Sequence, residues 1–248
     1  MGSVDRHQEE ILLNQHQWNK KPVLRRIYKE FHVRISNHLP ENAKGTIVEI
    51  GSGVADITET IPGCLRTDLF PNPWIDQVEN AYELSFPFQS VAAIILFDVF
   101  HHLRYPGTAL QEFHRVLNPG GHVIIFDPGL SHVGNLVYGH FHPEPRGLKD
   151  PISWFAPDDW SPAEIDYYAA QGNADRIFLR GEKDLTESGW QLKEVIQYAD
   201  ISYIASGGYS KPQLYPDISY PCLRFLDQGF NLFPGLFATR LLVVLKRA

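Results

Sequence analysis

Ile47-Val48-Glu49-Ile50-Gly51-Ser52-Gly53-Val54-Ala55-Asp56 is the stretch whose reading decides the fold. A short apolar run closing on two glycines is a buried strand that breaks into a tight turn at its carboxyl end. Glycine there permits the turn and lets a ligand approach the backbone with no Cβ in the way. The next strand candidate, Cys64 to Asp68, ends in an acid seventeen residues after Gly51, with Leu69 beside it. The two oxygens of a carboxylate match the two hydroxyls of a ribose. These residues predict a site for an adenosine-containing cofactor.

The spacing also discriminates between such cofactors. A dinucleotide site wants a third glycine where Asp56 stands, for close packing and for pyrophosphate at the helix start. An acid at that position repels a diphosphate. S-adenosylmethionine carries no phosphate and bears a cationic sulfonium and ammonium, so Glu49 and Asp56 suit it better than they suit NAD.

Outward from the glycine turn, strands and helices alternate. Val91 to Phe97 is continuously apolar, as expected of a strand covered on both faces. Leu110, Phe113 and Leu117 mark a helix that stops at Asn118-Pro119-Gly120-Gly121, and His122 to Asp127 follows as a strand. Upstream, Leu24, Ile27, Tyr28, Phe31, Ile35 and Leu39 recur at helical spacing between Pro22 and Pro40. Trp190 to Ile204 is rich in strand formers, and Thr239 to Lys246 reads as a final strand. Between them Leu223, Leu226 and Phe230 mark one more short helix. The pattern predicts an α/β fold, a doubly wound, mostly parallel seven-stranded sheet of Rossmann-like type with an inserted lid.

Five segments carry a resemblance. They are Glu49-Ile50-Gly51-Ser52-Gly53, Asp68, Asn80 to Phe86 (NAYELSF), Ile94 to His102 (IILFDVFHH), and Arg115 to Gly121 (RVLNPGG) before a strand. In order and spacing, over roughly Thr46 to Asp127, the chain resembles the class I S-adenosylmethionine-dependent methyltransferase family. It is similar in particular to the small-molecule group typified by the ubiquinone and menaquinone enzymes. The resemblance implies that Glu49, Gly51, Ser52 and Gly53 wrap the methionine and ribose part of the cofactor and that Asp68 and Leu69 hold the ribose. It places Asn80 and Ala81 beside adenine, and Phe97 and Asp98 near the transferable methyl. Asn80 stands where an Asp is usual, Ser85 replaces a Pro, and Ala92 replaces an Asp before the fourth strand. The chain outside the match has a further likeness to methyltransferases of surface-polysaccharide synthesis.

The 248 residues are 44% hydrophobic and 21% charged, which suits a single domain. We divide it into an N-terminal helical cap (1–40), a cofactor half (41–128), an inserted lid (129–180) and a C-terminal completion of the sheet (181–248). A formal net charge of −7 gives no broad nucleic-acid footprint. Two distant cysteines make no disulfide scaffold, and neither a signal-peptide core nor a membrane-length apolar run is present, so the expected setting is cytoplasmic.

From Gly129 to Arg180 the chain is rich in His, Pro, Trp and Tyr. A structureless loop of that length is unexpected in a compact domain, so short helices are predicted within it. His132, His140 and His142 lack a second ligand cluster at familiar spacing, and no metal is expected. Trp154, Trp160, Tyr167 and Tyr168 read as local core. His101, His102 and His142 are the candidates for a general base, unranked. The expected acceptor is a small molecule, a lipid-linked compound or a glycan, methylated on oxygen, and self-association is left open. An NAD-dependent oxidoreductase and a catalytically silent cofactor-binding module are the competing classes.

Overall fold

The computed structural model describes residues 3–41, 44–164, 167–185 and 188–248. Strands β1 (Thr46–Ile50), β2 (Leu65–Asp68), β3 (Gln77–Val78), β4 (Val91–Phe97), β5 (Leu117–Pro128), β6 (Trp190–Tyr198) and β7 (Arg240–Arg247) form one sheet in the order β3-β2-β1-β4-β5-β7-β6. β7 runs antiparallel to both neighbours, and the remaining pairs are parallel.

Alternation along the central strands builds two cores. Ile94 and Leu96 of β4, Val123 and Ile125 of β5, and Leu241 and Val243 of β7 face one side. There they meet Leu110, Phe113 and Val116 of the helix Pro106–Val116. Ile95, Phe97, Ile124, Phe126, Leu242 and Val244 face the other side and meet Leu24, Ile27, Phe31 and Ile35 of the helix Pro22–Ser36. A strand buried on both faces has no polar positions to spare, which is why β4 reads as an unbroken apolar run.

The helices in chain order are α1 (Ser3–Lys20), α2 (Pro22–Ser36), α3 (Pro106–Val116), α4 (His132–His140), α5 (Ile201–Ala205), α6 (Tyr220–Phe230) and α7 (Pro234–Phe237). Several depart from the sequence reading. Within the 1–40 helical cap, the polar start forms a helix of its own, α1, which the periodicity did not separate from α2. α2 ends at Ser36, and residues 37–39 turn. The stretch from Trp190 to Ile204 divides into β6 and α5. β5 starts at Leu117, because its register against β4 slips between Val91 and Ala93 and takes the Asn118–Gly121 turn into the strand.

Helices are scarce on the β1–β3 side. The β1–β2 connection contains only a 3₁₀ turn, Ile57–Glu59, opened by Asp56, whose carboxylate accepts from Thr58 N at 2.9 Å. The stretch after β3 has no helix; Arg115 of α3 pins it instead, donating to the carbonyls of Leu84 at 2.8 Å and Phe86 at 3.0 Å.

The segment 129–180 is not uniformly a lid. Among the described residues it has no helix or strand from Phe141 to Gly172, a length the sequence reading judged improbable. Hydrogen bonds tie it down instead: Gly107 N to Trp154 O at 2.8 Å, Ala156 N to Thr108 Oγ1 at 2.9 Å, and Asn80 Nδ2 to Pro162 O at 2.8 Å. Its end is core. The π-helical turn Asp175–Leu179 buries Ile177 and Phe178 with α3 and the sheet.

Lys21, at the joint of α1 and α2, holds the 206–211 loop. It is buried, and its ammonium donates to the carbonyls of Ser206 at 3.2 Å, Gly208 at 2.6 Å and Lys211 at 2.5 Å. Lys21→Met leaves those carbonyls without that donor. We expect a loss of ~1–3 kcal/mol of stability, read as a lower urea midpoint, with amide exchange rising first over 206–211.

Candidate active site

The order of the sheet reverses between β1 and β4, so no crossover covers their carboxyl ends. A cavity of about 700 Å³ opens there, lined from the ends of β1, β2, β4 and β5, from the middle of the 129–180 segment, and from the 207–211 loop. All ten residues predicted for the cofactor, Glu49, Gly51, Ser52, Gly53, Asp68, Leu69, Asn80, Ala81, Phe97 and Asp98, line it. So do His101, His102 and His142.

The glycine turn has two different reasons for glycine. Gly51 has φ +71°, and a Cβ there would collide with Val99 Cγ2, so the position is closed by packing as well as by backbone conformation. Gly53 has φ +57° and nothing within 4 Å of where its Cβ would stand. A side chain at Gly53 would therefore project into open space beside the cavity. The expectation that a side chain at Gly51 would meet ligand is corrected: it would meet Val99.

Glu49 sits at the base of this turn, 2% exposed, and its Oε2 has no hydrogen-bond partner among the described residues. Burial pushes its carboxyl up to about 8; Asp56 and Asp68 act in the same sense, while Arg66 opposes them. An orphaned buried carboxylate oxygen at a cavity wall is the arrangement a cationic ligand would relieve. Asp68 is buried, and its Oδ1 accepts from Leu69 N at 2.7 Å, which orients the carboxylate. These residues fit the amino end and the ribose of S-adenosylmethionine.

Two predicted residues have partners of their own. The Asn80 amide oxygen accepts from Tyr82 N at 3.0 Å, and its nitrogen donates to Pro162 O, so the side chain joins the cofactor half to the inserted segment. Asp98, at φ +56°, holds both terminal nitrogens of Arg240, one of them at 3.0 Å. Arg240 is itself buried, with its guanidinium 4.5 Å from the Tyr203 ring centroid and within 6 Å of those of Phe31, Phe97 and Phe126. An isolated buried cation is costly, and the bidentate carboxylate with an aromatic surround is what makes it tolerable here.

The three histidines are brought together and given unequal surroundings. Asp127, at the end of β5, accepts from His101 N at 2.9 Å and from its Nδ1 at 3.2 Å. His101 Nε2 lies 3.4 Å from Glu144 Oε2. Burial alone would lower the His101 pKa, but Asp127 and Glu144 outweigh it and hold the ring at about 10. His102 donates Nδ1–H to Tyr168 O at 2.9 Å and presents Nε2 3.7 Å from Glu144 Oε1; burial and His101 lower its pKa. His142 accepts from Glu144 N on Nδ1 at 3.3 Å, and burial lowers it too. Glu144 also accepts from Tyr167 OH at 2.9 Å and from Gln171 Nε2. Against its burial, His101 holds the Glu144 carboxyl well below the usual range.

Sequence reasoning missed several residues. Glu144 and Gln171 lie in a segment with no motif, and only folding brings them to His101. Arg240 had a signal, a charged residue opening an apolar strand. Tyr28, Tyr203 and Tyr209 line the cavity with Tyr28 stacked 5.0 Å from Phe97. The aromatic residues of the insertion divide: Trp154 packs on the core, whereas Trp160 joins Tyr82 and Tyr105 at the cavity, with Tyr167 and Tyr168 beyond.

The seven-stranded, mostly parallel α/β sheet with its glycine turn is a fold shared with solved methyltransferases. Residues 50–125 match the family model described as a methyltransferase domain. A chain of the complex between the Haloferax volcanii Trm112 methyltransferase activator and the putative methyltransferase superposes with a TM-score of 0.56 at 15% identity, over 99% of this chain and 97% of that one. Geranyl diphosphate methyltransferase, solved in complex with SAM, gives a TM-score of 0.51 at 12% identity, over 90% of this chain and 86% of that one. No curated protein matches the chain. Over residues 50–125 the chain is thus similar to a methyltransferase domain, and its whole length shares the fold of these solved structures.

The Glu49 carboxyl makes a prediction about the ligand-free protein. Its folded pKa is raised, so its contribution is fully present below the ordinary carboxylate pKa and is lost as pH rises through about 8. Glu49→Gln should remove that loss. Urea unfolding from pH 5 to 9 should show the variant gaining on the wild type by a few kcal/mol towards alkaline pH; parallel profiles would refute the assignment.

Proposed function

We propose that the protein transfers a methyl group from S-adenosylmethionine to a hydroxyl of a small-molecule, lipid-linked or glycan acceptor. The observation that carries this reading is that one cavity holds both the glycine turn with Asp68 and the His101–His102–Glu144 cluster. When bound, the cofactor supplies an electrophilic methyl on a sulfonium, leaving as the neutral thioether while the acceptor oxygen gains the methyl and loses its proton.

The protein's part is mainly alignment, which can be worth ~7–11 kcal/mol. Glu49 and Asp68 receive the amino and ribose groups, Gly53 leaves the approach open, and Ala81 and Leu69 flank the base and ribose. Phe97 and Tyr28 form an apolar wall, and Asp98 acts through Arg240 as a positioning residue. The acceptor oxygen stands at the histidine–glutamate wall, where its proton leaves. Of the three rings, His102 is best placed to meet it. His101 is turned towards Asp127 and Glu144, and the Nδ1 of His142 is taken up by the Glu144 amide. The middle of the 129–180 segment walls the acceptor and excludes water. A cytoplasmic setting and kinship with the ubiquinone and menaquinone group complete the proposal.

Asp68→Ala should weaken S-adenosylhomocysteine roughly 10- to 100-fold by calorimetry, the cost of losing a hydrogen bond to a charged acceptor. Unchanged affinity would refute the ribose assignment. The acceptor class is tested by transfer of labelled methyl to hydroxylated small molecules, polyprenyl-linked sugars and oligosaccharides, with His102→Gln lowering kcat by ~10²-fold or more while cofactor affinity holds.

A further inference from the structure

The geometry points to a divalent transition-metal site formed by His101 Nε2, His102 Nε2 and the Glu144 carboxylate. It rests on the reading above only for the metal's use and changes one step of it: the ion would bind and acidify the acceptor hydroxyl, whose proton would leave to water, because a metal-bound His102 Nε2 has no lone pair to accept it.

Three independent features support the site. The first is distance. One ligand atom from each of the three residues lies within 4.8 Å of the others, and Glu144 oxygens stand 3.4 Å from His101 Nε2 and 3.7 Å from His102 Nε2. Ligands about 2.0–2.2 Å from a four-coordinate zinc are themselves ~3.3–3.6 Å apart, so closure by a fraction of an ångström to about one ångström completes the set.

The second is hydrogen-bond direction. His101 Nδ1 faces Asp127 Oδ1 and His102 Nδ1 faces Tyr168 O, and both partners can only accept. Each Nδ1 therefore carries a hydrogen and both Nε2 atoms face Glu144; His102 presents a lone pair there, whereas His101, which Asp127 and Glu144 hold at about 10, presents a proton that an ion would displace. A carboxylate facing two ring nitrogens needs a cation among them, either a metal ion or that proton.

The third is the surrounding shell. A carboxylate on one histidine and a backbone carbonyl on the other are the usual supports of metal-bound imidazoles. Gln171 is 1% exposed, its Nε2 lies on Glu144, and its Oε1 has no partner among the described residues, an acceptor suited to a metal-bound water. Two imidazoles and one carboxylate select zinc, iron, manganese or cobalt over magnesium or calcium, which prefer all-oxygen sites.

The test uses the full chain after chelator treatment, titrated calorimetrically with Zn²⁺ and with Mn²⁺, and with Mg²⁺ as a control. Cobalt(II) absorption in the visible reports nitrogen ligation directly. One equivalent of Zn²⁺ should bind, Mg²⁺ should not compete, and His102→Gln and Glu144→Gln should each weaken binding on the order of 10- to 100-fold or more. Circular dichroism and S-adenosylhomocysteine affinity should be unchanged in both variants. Absence of binding by wild-type protein, or binding undiminished in both variants, would overturn the site and leave an added proton as the cation. Methyl transfer that survives chelation would overturn the metal's role in acceptor activation. Metal binding in a protein that methylates no hydroxyl would leave the site standing and overturn the acceptor reading instead.

Discussion

A parallel sheet that reverses its strand order must leave one edge uncovered, and here that edge is the carboxyl end of β1 and β4. Every crossover leaves this point for one face or the other, so no crossover helix spans the gap. The chain fills the gap from outside the sheet. α2 and the 207–211 loop approach on one side, bound through Lys21, and the 129–180 segment approaches on the other, bound through Asn80 and Thr108. The cavity is what remains between them. Its walls come from the ends of conventional elements, while its covers are irregular chain held by individual hydrogen bonds.

That origin explains how charge is distributed. Sheet ends present strand-terminal side chains with little solvent, and each of the acids there is treated differently. Asp98 is bidentate on Arg240, Asp127 is fixed to the backbone and ring of His101, and Glu49 keeps one oxygen unpaired. A paired buried charge contributes little net stability because desolvation offsets attraction, but it fixes orientation. An unpaired acid is relieved instead by keeping its proton, as burial makes Glu49 do up to about pH 8. Asp98 and Asp127 therefore read as scaffolding, and Glu49 reads as a group held in readiness for a cation. The positive φ of Asp98, unusual for a residue with a Cβ, is the backbone cost of turning its carboxylate to Arg240.

The part of this arrangement legible in sequence is the part written in local signals. Gly51, Gly53 and Asp68 are tied to their places by strand ends and spacing, and the apolar run of β4 declares its two-sided burial. The seven-stranded architecture follows from those elements and their order. What was illegible depends on long-range assembly. Glu144 has no neighbour in sequence that marks it, and its value lies in reaching His101 across more than forty residues. α1 has a polar periodicity that gives no helical stripe, and its place is set by contacts such as Trp18 against Tyr28 and Tyr209. Among the described residues of 141–172, backbone groups find single partners in α3, in Asn80 and in nearby side chains, where helices were expected. Asn80 was assigned to the cofactor by position in a motif, and the structure adds a partner, Pro162, that no motif could supply.

The two halves of the cavity thus differ in how they can change. The cofactor half is built from strand ends whose positions are dictated by sheet register, so altering Gly51 disturbs Val99 and the core behind it. The acceptor half hangs from a few hydrogen bonds and carries the aromatic and histidine side chains that face the ligand. A chain of this design can exchange its acceptor wall without repacking the sheet, because the wall's attachments are discrete. The exception is the His101–Asp127 contact, where the acceptor wall is anchored directly in β5. Asp127 fixes both the backbone and the ring of His101, and through His101 it fixes where Glu144 must lie. On the proposed reading, the groups that meet the acceptor oxygen are held by the sheet through Asp127, while the rest of the acceptor faces the irregular segment around it.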